Sequence, residues 1–245
     1  TGQLNLGGAG FQAIGAYASA ILSNEMGFPI GLTLIFSSIF GGLISFLIAF
    51  PILRTKGVYM VLATFAIAEI VAGIILNSDY LGGPTGIVVN EYIETELILI
   101  IAVIIVLFGF YLMSTRIGLA MRAVHDDDAV ANLMGVNTRA IQIGAFTLGG
   151  AIAGLSGGLY ALYFGFVEAQ YFNANISIFV LLFVLIGGTQ TAWGPLIGAS
   201  FFTLIPEALR IGDDWRFFIF GVIIVAMMIV RPEGIVTRDA LDRVW

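Results

Sequence analysis

Apolar residues gather in eight blocks along this chain, near residues 4–22, 29–52, 58–76, 97–113, 143–164, 176–190, 195–209 and 216–230. A helix needs about 20 mostly apolar residues to cross a bilayer core of about 30 Å, and most of the blocks approach that length. Within a block such as 97–108 the side chains are uniformly apolar (Leu-Ile-Leu-Ile-Ile-Ala-Val-Ile-Ile-Val-Leu-Phe). The strands of a membrane β-barrel alternate instead and are shorter. The pattern therefore predicts an all-α, polytopic transmembrane bundle of about eight helices, forming one domain over residues 1–245. The first block is rich in glycine and interrupted, which predicts a partly re-entrant segment. The sixth and seventh are short and share the break Gly187-Gly188-Thr189-Gln190-Thr191-Ala192-Trp193-Gly194-Pro195, so they form two short helices or broken ones.

Composition narrows the picture. The chain is 59% hydrophobic and 11% charged, against about 45–50% and about 25% in a soluble domain. That excludes a soluble globular enzyme and a disordered linker. Ten basic residues against sixteen acidic ones leave no surplus to neutralise phosphates, which excludes a nucleic-acid-binding protein. There is no cysteine and one histidine, His125, so neither a disulfide framework nor a His-based metal cluster is expected. The opening Thr1-Gly2-Gln3-Leu4-Asn5-Leu6 has no initiator methionine, basic leader or cleavage site, as expected of an internal piece of a longer chain.

The scarce charge is sorted. With eight crossings, Arg54, Lys56, Arg116, Arg122, Arg139, Arg231, Arg238 and Arg243 fall on one side, and Arg210 and Arg216 on the other. Cytoplasmic loops carry the excess of Lys and Arg. The 114–142 loop and the C-terminus are therefore predicted to be cytoplasmic.

That loop is the most informative polar stretch. Ile117, Met121 and Val124 are spaced as one face of a helix. Asp126 to Asp128 can cap a second short helix carrying Val130, Leu133 and Met134, and Gly135 stops it. Two short amphipathic helices make a knob whose apolar stripe fits a groove on a partner protein. The alternatives are a solvated loop or a helix lying on lipid, although three consecutive Asp residues disfavour anionic headgroups. Next to His125 these aspartates also suggest a metal, but caps and solvated charge explain them more simply.

Glu69 lies inside the third block. A carboxylate there is a functional candidate, because burying it in lipid is costly. It lines a substrate path or hydrogen-bonds neighbouring helices. A proton relay needs several ionisable groups at that depth, and Glu69 is nearly alone. In the fifth block, Gly150, Gly154 and Gly158 recur every four residues beside a second row, Gly149, Ala153 and Gly157. Small residues let helix backbones approach closely. Gly7, Gly8, Gly10 and Gly15 in the first block either do the same or free backbone groups to line a cavity. The turn-rich loop 77–86 is a plain connector, a gate, or a contact for a delivery protein. No P-loop motif is present, nor HEXXH, GXSXG or paired active-site carboxylates, so neither an ATPase nor another enzyme is expected.

The ordered set of short motifs resembles the M-type permease subunit of branched-chain amino acid ABC importers. The likeness rests on Gly2-Gln3-Leu4-Asn5-Leu6-Gly7, Gly15-Ala16-Tyr17, Arg54-Thr55-Lys56-Gly57-Val58-Tyr59, Glu69-Ile70 and Gly82-Gly83-Pro84-Thr85-Gly86-Ile87. It continues through Arg116-Ile117-Gly118-Leu119-Ala120-Met121-Arg122-Ala123, Asp127 to Ala131, Gly135-Val136 and Ala153 to Ala161. Gly187-Gly188, Trp193-Gly194-Pro195, Pro206-Glu207 and Arg231-Pro232-Glu233-Gly234 complete it. Together these span nearly the whole chain.

The resemblance implies a pore-forming, multi-pass subunit of a prokaryotic plasma membrane, paired with a second permease subunit. Two cytoplasmic ATP-binding subunits, which hold the ATP and magnesium, and an external solute-binding protein complete the importer. No cofactor or metal is expected on this chain. The 114–142 loop becomes the ATPase-coupling loop, with Arg116, Gly118, Arg122, Asp127 and Gly135 as its key residues. Tyr59 and Glu69 become translocation-path candidates. Close relatives carry urea and short-chain amides, so such a permease is one alternative. Another is a self-contained secondary transporter, which inverted repeats and several intramembrane charges would favour. The family often has His where Gly8 stands, and hydrophobic helices precede the stretch matching Gly2.

Overall fold

The computed structural model describes residues 1–209 apart from Lys56 and Gln190, together with Gly221, Val222 and Val225. The eighth predicted helix and the basic residues from Arg210 onward lie outside the described residues. Contacts divide the chain into two compact units, Thr1–Ser177 and Ile178–Trp245.

The first unit opens with the irregular stretch 1–7, followed by helix α1 (Gly8–Met26). α1 is one unbroken helix, so the expected re-entrant break inside the first block does not occur. Its glycines pack against neighbours instead of interrupting it. The turn at Gly27 ends it: φ is +59°, and the Gly27 N–H donates to the Leu22 carbonyl. Pro29, with the extended backbone a residue before a helix needs, starts α2 (Ile30–Ile52), and Pro51 marks its last turn. α3 (Val58–Leu76) and α4 (Thr95–Ser114) follow the predicted third and fourth blocks closely. The polar loop contains α5 (Arg116–Asp126) and α6 (Asp128–Leu133).

α7 runs from Thr138 to Phe164, starting five residues before its apolar block. Its 27 residues extend about 40 Å at 1.5 Å per residue, so its first turns project beyond a bilayer core of about 30 Å. In the second unit the break at 187–195 separates two distinct helices, α8 (Ala174–Gly187) and α9 (Trp193–Leu209), the first of which begins at the end of the first unit. A methyl at Gly187 would lie 3.0 Å from the Gly198 amide, and the Phe183 and Phe202 rings stack 5.2 Å apart.

Among the described residues, five stretches are long and apolar enough to cross a membrane: Ile30–Ile52, Val58–Leu76, Thr95–Ser114, Thr138–Phe164 and Ala169–Gly187. The chain is a helical, multi-pass membrane protein.

The centre of the first unit is the packing of α7 on α1 and α2. A methyl added at Gly154 would stand 2.5 Å from the Ser37 carbonyl oxygen, and one at Gly158 would stand 2.9 Å from the Ser37 side chain. Gly150 packs against Ser45, and Gly157 against the Gln12 backbone. Gly150, Gly154 and Gly158 therefore face α2, as a small-residue row should. The second row divides: Gly157 packs on α1, whereas Gly149 faces open space. Two hydroxyls tie the same helices together. Ser45 donates to the Phe146 carbonyl at 2.8 Å, and Ser38 to the Ala151 carbonyl at 3.1 Å. On the other side of α1, Gly10 lies against Ala68 of α3, and the Leu6 N–H donates to Thr64 Oγ1 at 3.0 Å.

The end of this unit opposite the polar loop is braced by a two-stranded antiparallel ribbon, β1 (Ile87–Val88) with β2 (Phe166–Val167). Gly86, at φ +72°, meets the Val167 carbonyl too closely for any side chain. Asn24 of α1 clamps the ribbon, donating to the Val88 carbonyl at 2.6 Å and accepting from the Asn90 N–H at 3.1 Å. The loop predicted over 77–86 is thus built from short 3-10 turns, and its far side is held by Tyr80, which donates to the Glu25 carboxylate at 2.7 Å.

Candidate functional site

α5 and α6 form a folded knob at one end of the first unit, and local chemistry explains its shape. Thr115 caps α5, accepting the Gly118 N–H at 3.3 Å while donating to the Leu112 carbonyl at 2.7 Å. The chain turns so sharply out of α4 that a methyl at Gly118 would lie 2.7 Å from the Met113 Cα. Only glycine fits there. Arg122 then reaches back and donates from Nη2 to the Met113 carbonyl at 3.1 Å, satisfying one of the orphan carbonyls at the end of α4. Its Nε is buried without a partner. Gly118 and Arg122 thus lock α5 to α4 as one corner.

Asp127 caps α6, its carboxylate accepting the N–H groups of Ala129 at 2.9 Å and Val130 at 3.1 Å. One member of the acidic triplet performs the capping expected of it. Gly135 ends the knob with φ at +87°; nothing crowds it, so its backbone conformation alone requires glycine. Asn137 then caps α7 by accepting the Ala140 N–H at 3.1 Å. The sequence reading did not single out Thr115 or Asn137 as caps, although Thr and Asn just before a helical pattern are the standard signal.

The two apolar faces of the knob part company. The stripe Ile117, Met121 and Val124 is covered only in part by the fold, and Ile117 remains 53% exposed. Val124 is buried, and Ile117 and Met121 line an apolar recess of about 660 Å³ with Phe46, Phe50, Ile141 and Leu148. The α6 stripe does point outward: Leu133 is 87% exposed, Met134 81%, and Val130 more than half. Leu119, on the other face of α5, joins them in exposure. Arg116 is exposed beside them. A second, polar recess of about 420 Å³ separates the knob from the corner between α2 and α3, lined by Gln3, Thr55, Met60, His125, Asp127 and Gln142 among others.

Tyr59 and Glu69 are not brought together with this knob. Both lie exposed on α3, ten residues apart, which is about 15 Å along a helix. Gly150, Gly154, Gly157 and Gly158 of α7 serve packing and line neither recess.

Residues 1–230 match the family model described as branched-chain amino acid transport system / permease component. The high-affinity branched-chain amino acid transport system permease protein LivM of Escherichia coli (strain K12) is 29% identical over 98% of this chain and 66% of its own length. The probable branched-chain amino acid transport permease protein LivH of Methanocaldococcus jannaschii is 27% identical over 96% of this chain and 83% of its own. The autoinducer 2 import system permease protein LsrC of Escherichia coli O9:H4 is 33% identical over 58% of this chain and 44% of its own. This chain thus spans about two thirds of the length of the Escherichia coli LivM protein. No solved structure gives a significant match.

Proposed function

The chain belongs to the family of branched-chain amino acid transport system permease components, and on that premise we propose that it is a translocating subunit of an ATP-driven importer for branched-chain amino acids or similar small polar solutes. It works in a prokaryotic plasma membrane with the knob and the C-terminus in the cytoplasm. Its partners are a second permease subunit, two ATPase subunits that hold ATP and magnesium, and an external solute-binding protein.

The observation that carries this reading is the outward face of α6. Leu133 and Met134 are almost fully exposed on a part of the chain outside the apolar spans. Exposed apolar side chains on a small folded knob suit insertion into a groove of a partner. The rigid α4–α5 corner gives the insertion a consequence. Force applied at α6 passes through Gly118 and Arg122 into α4, and through Asn137 into α7. A partner whose ATP-bound and ATP-free forms hold the knob differently would switch the permease between two states, because only differential contact can shift such an equilibrium. Tyr59 and Glu69 belong to the translocation path in this reading. No residue of this chain hydrolyses ATP.

Affinity purification of the full-length chain, co-expressed with its candidate ATPases and second permease, tests the proposal. The ATPases co-purify with the wild type and are lost with Leu133→Asp or Met134→Asp. Retention of the ATPases by both variants overturns the docking assignment.

A further inference from the structure

We propose that the apolar recess between α2, α5 and α7 binds an anionic phospholipid, with an acyl chain in the recess and the headgroup phosphate at Arg116 and Arg139. The proposal goes beyond the importer reading and does not depend on it, because it needs only that the chain stands in a membrane. The recess, of about 660 Å³, is lined by Phe46, Phe50, Ile117, Met121, Ile143 and Leu148 among others. That volume lies in the range of sites that hold small molecules. Its wall is incomplete, with Phe46 39% exposed, Phe50 41% and Ile117 53%.

The recess lies at the depth where an acyl chain begins. Phe50 stands two residues and Phe46 six before the end of the apolar span Ile30–Ile52, so they lie about 3 Å and about 9 Å inside it. On α7 the lining runs from Ala140 to Leu148, across the start of the apolar block at Ile143. Lining left without neighbours at that depth forfeits its dispersion contacts, and hydrocarbon restores them.

The charges at the rim select the kind of lipid. Arg139 precedes Ile143 by one helical turn, and Arg116 precedes Ile117 directly. Both arginines are exposed, and among the described residues neither makes a hydrogen bond or an ion pair. α2 and α7 contain no acidic residue, and α5 has none before Asp126. Asp126 is nine residues from Ile117, or about 14 Å along the helix, and it lines the other, polar recess. The rim is therefore cationic at the boundary of the apolar spans, where phosphates lie. Basic pockets between membrane helices bind anionic headgroups, and a guanidinium matches a phosphate with paired N–H donors. Thr147 is the lining residue with a polar side chain, and its hydroxyl is buried without a partner. It is a spare donor for a glycerol-ester carbonyl. A lipid so placed bridges α5 to α2 and α7, so the anionic content of the membrane sets how firmly the knob is held.

The full-length chain, purified with the subunits it retains, is reconstituted in phosphatidylcholine vesicles. These carry a trace of phosphatidylglycerol or of phosphatidylcholine with a photoreactive acyl chain, and labelled residues are mapped by peptide mass spectrometry. Each arginine near the surface is worth about fivefold in attraction of an anionic lipid, so the recess is expected to take the phosphatidylglycerol probe about thirtyfold more than the phosphatidylcholine probe. Arg116→Gln together with Arg139→Gln abolishes that preference. Bare α4, around Ile104, shows none in either protein. A methyl added at Gly144 has nothing within 4 Å, and Gly144 lines the recess. Gly144→Leu therefore fills it, and labelling there is expected to disappear while labelling of α4 and the size-exclusion profile stay unchanged. Equal labelling of the wild-type recess by the two probes overturns the proposal, as does a preference that survives the double arginine change. Absence of labelling by either probe also overturns it, since a protein segment then occupies the space. ATPase co-purification bears on the importer reading alone, so the two fail separately.

Discussion

α7 and α4 are both long apolar helices, yet they are used in opposite ways. α7 buries a row of glycines against α2 and α1, close enough that most of them admit no larger side chain. α4 is dominated by large apolar residues and fully buries none of them. In water the more hydrophobic helix would sit at the centre. In a membrane the lipid tails satisfy leucine as well as another helix does, so association is decided by how closely backbones can approach. Apolarity puts a helix in the bilayer; small residues decide which helices hold one another.

Four changes break or sharpen this contrast. Gly154→Leu has the largest expected effect. It drives a side chain into the Ser37 carbonyl and the Gly41 backbone, and overpacking of a well-filled site costs about 1–3 kcal/mol or more. A steep drop in membrane-inserted, monodisperse protein on size-exclusion chromatography is expected, and a normal profile would refute the packing account. Gly118→Val comes next. The bundle survives, but the α4–α5 corner opens, so ATPase co-purification is lost while the melting midpoint moves only slightly. Asp127→Ala follows, because losing a helix cap costs about 1 kcal/mol. Partial loss of ATPase binding is expected, and Asp127→Ser, which also caps, should restore it. Ile104→Ala on bare α4 should change neither melting nor assembly; a marked loss would show that α4 is held by a partner.

The smallest effect belongs to the opposite end of the bundle. The Tyr80 phenol is pushed above its usual range, first by its hydrogen bond to Glu25. A raised pKa means the bond contributes fully below the ordinary phenol value of about 10 and is lost as pH rises through the raised value. In an ultraviolet titration the difference between the wild type and Tyr80→Phe should be one phenol that ionises later than a free one, with assembly at neutral pH unaffected.

Much of the molecule was legible in residue order alone. The first seven apolar blocks gave α1–α4 and α7–α9 within about five residues, because the cost of an unpaired backbone in lipid favours helices for such uniform blocks. The Asp127 cap and the Gly135 stop were legible because both act within one helical turn. The Gly150, Gly154 and Gly158 row announced a packing face. Other features were invisible to periodicity. Ile117, Met121 and Val124 form a helical stripe, but how much of it is covered depended on the corner at Gly118 and the presence of Phe46, Phe50 and Ile141 beside it. The break expected in α1 did not occur, because Gly10 and Gly15 are matched by Ala68 and Gly154 from distant helices.

The sequence by itself determined that this chain lives in a membrane as a set of apolar helices and where its polar knob lies, because each of these follows from transfer to lipid of one segment at a time. Only the tertiary structure decided which glycines meet, which face of the knob is free, and that Glu69 stands exposed on α3. Those depend on the distances between segments far apart in the chain, which no local pattern contains.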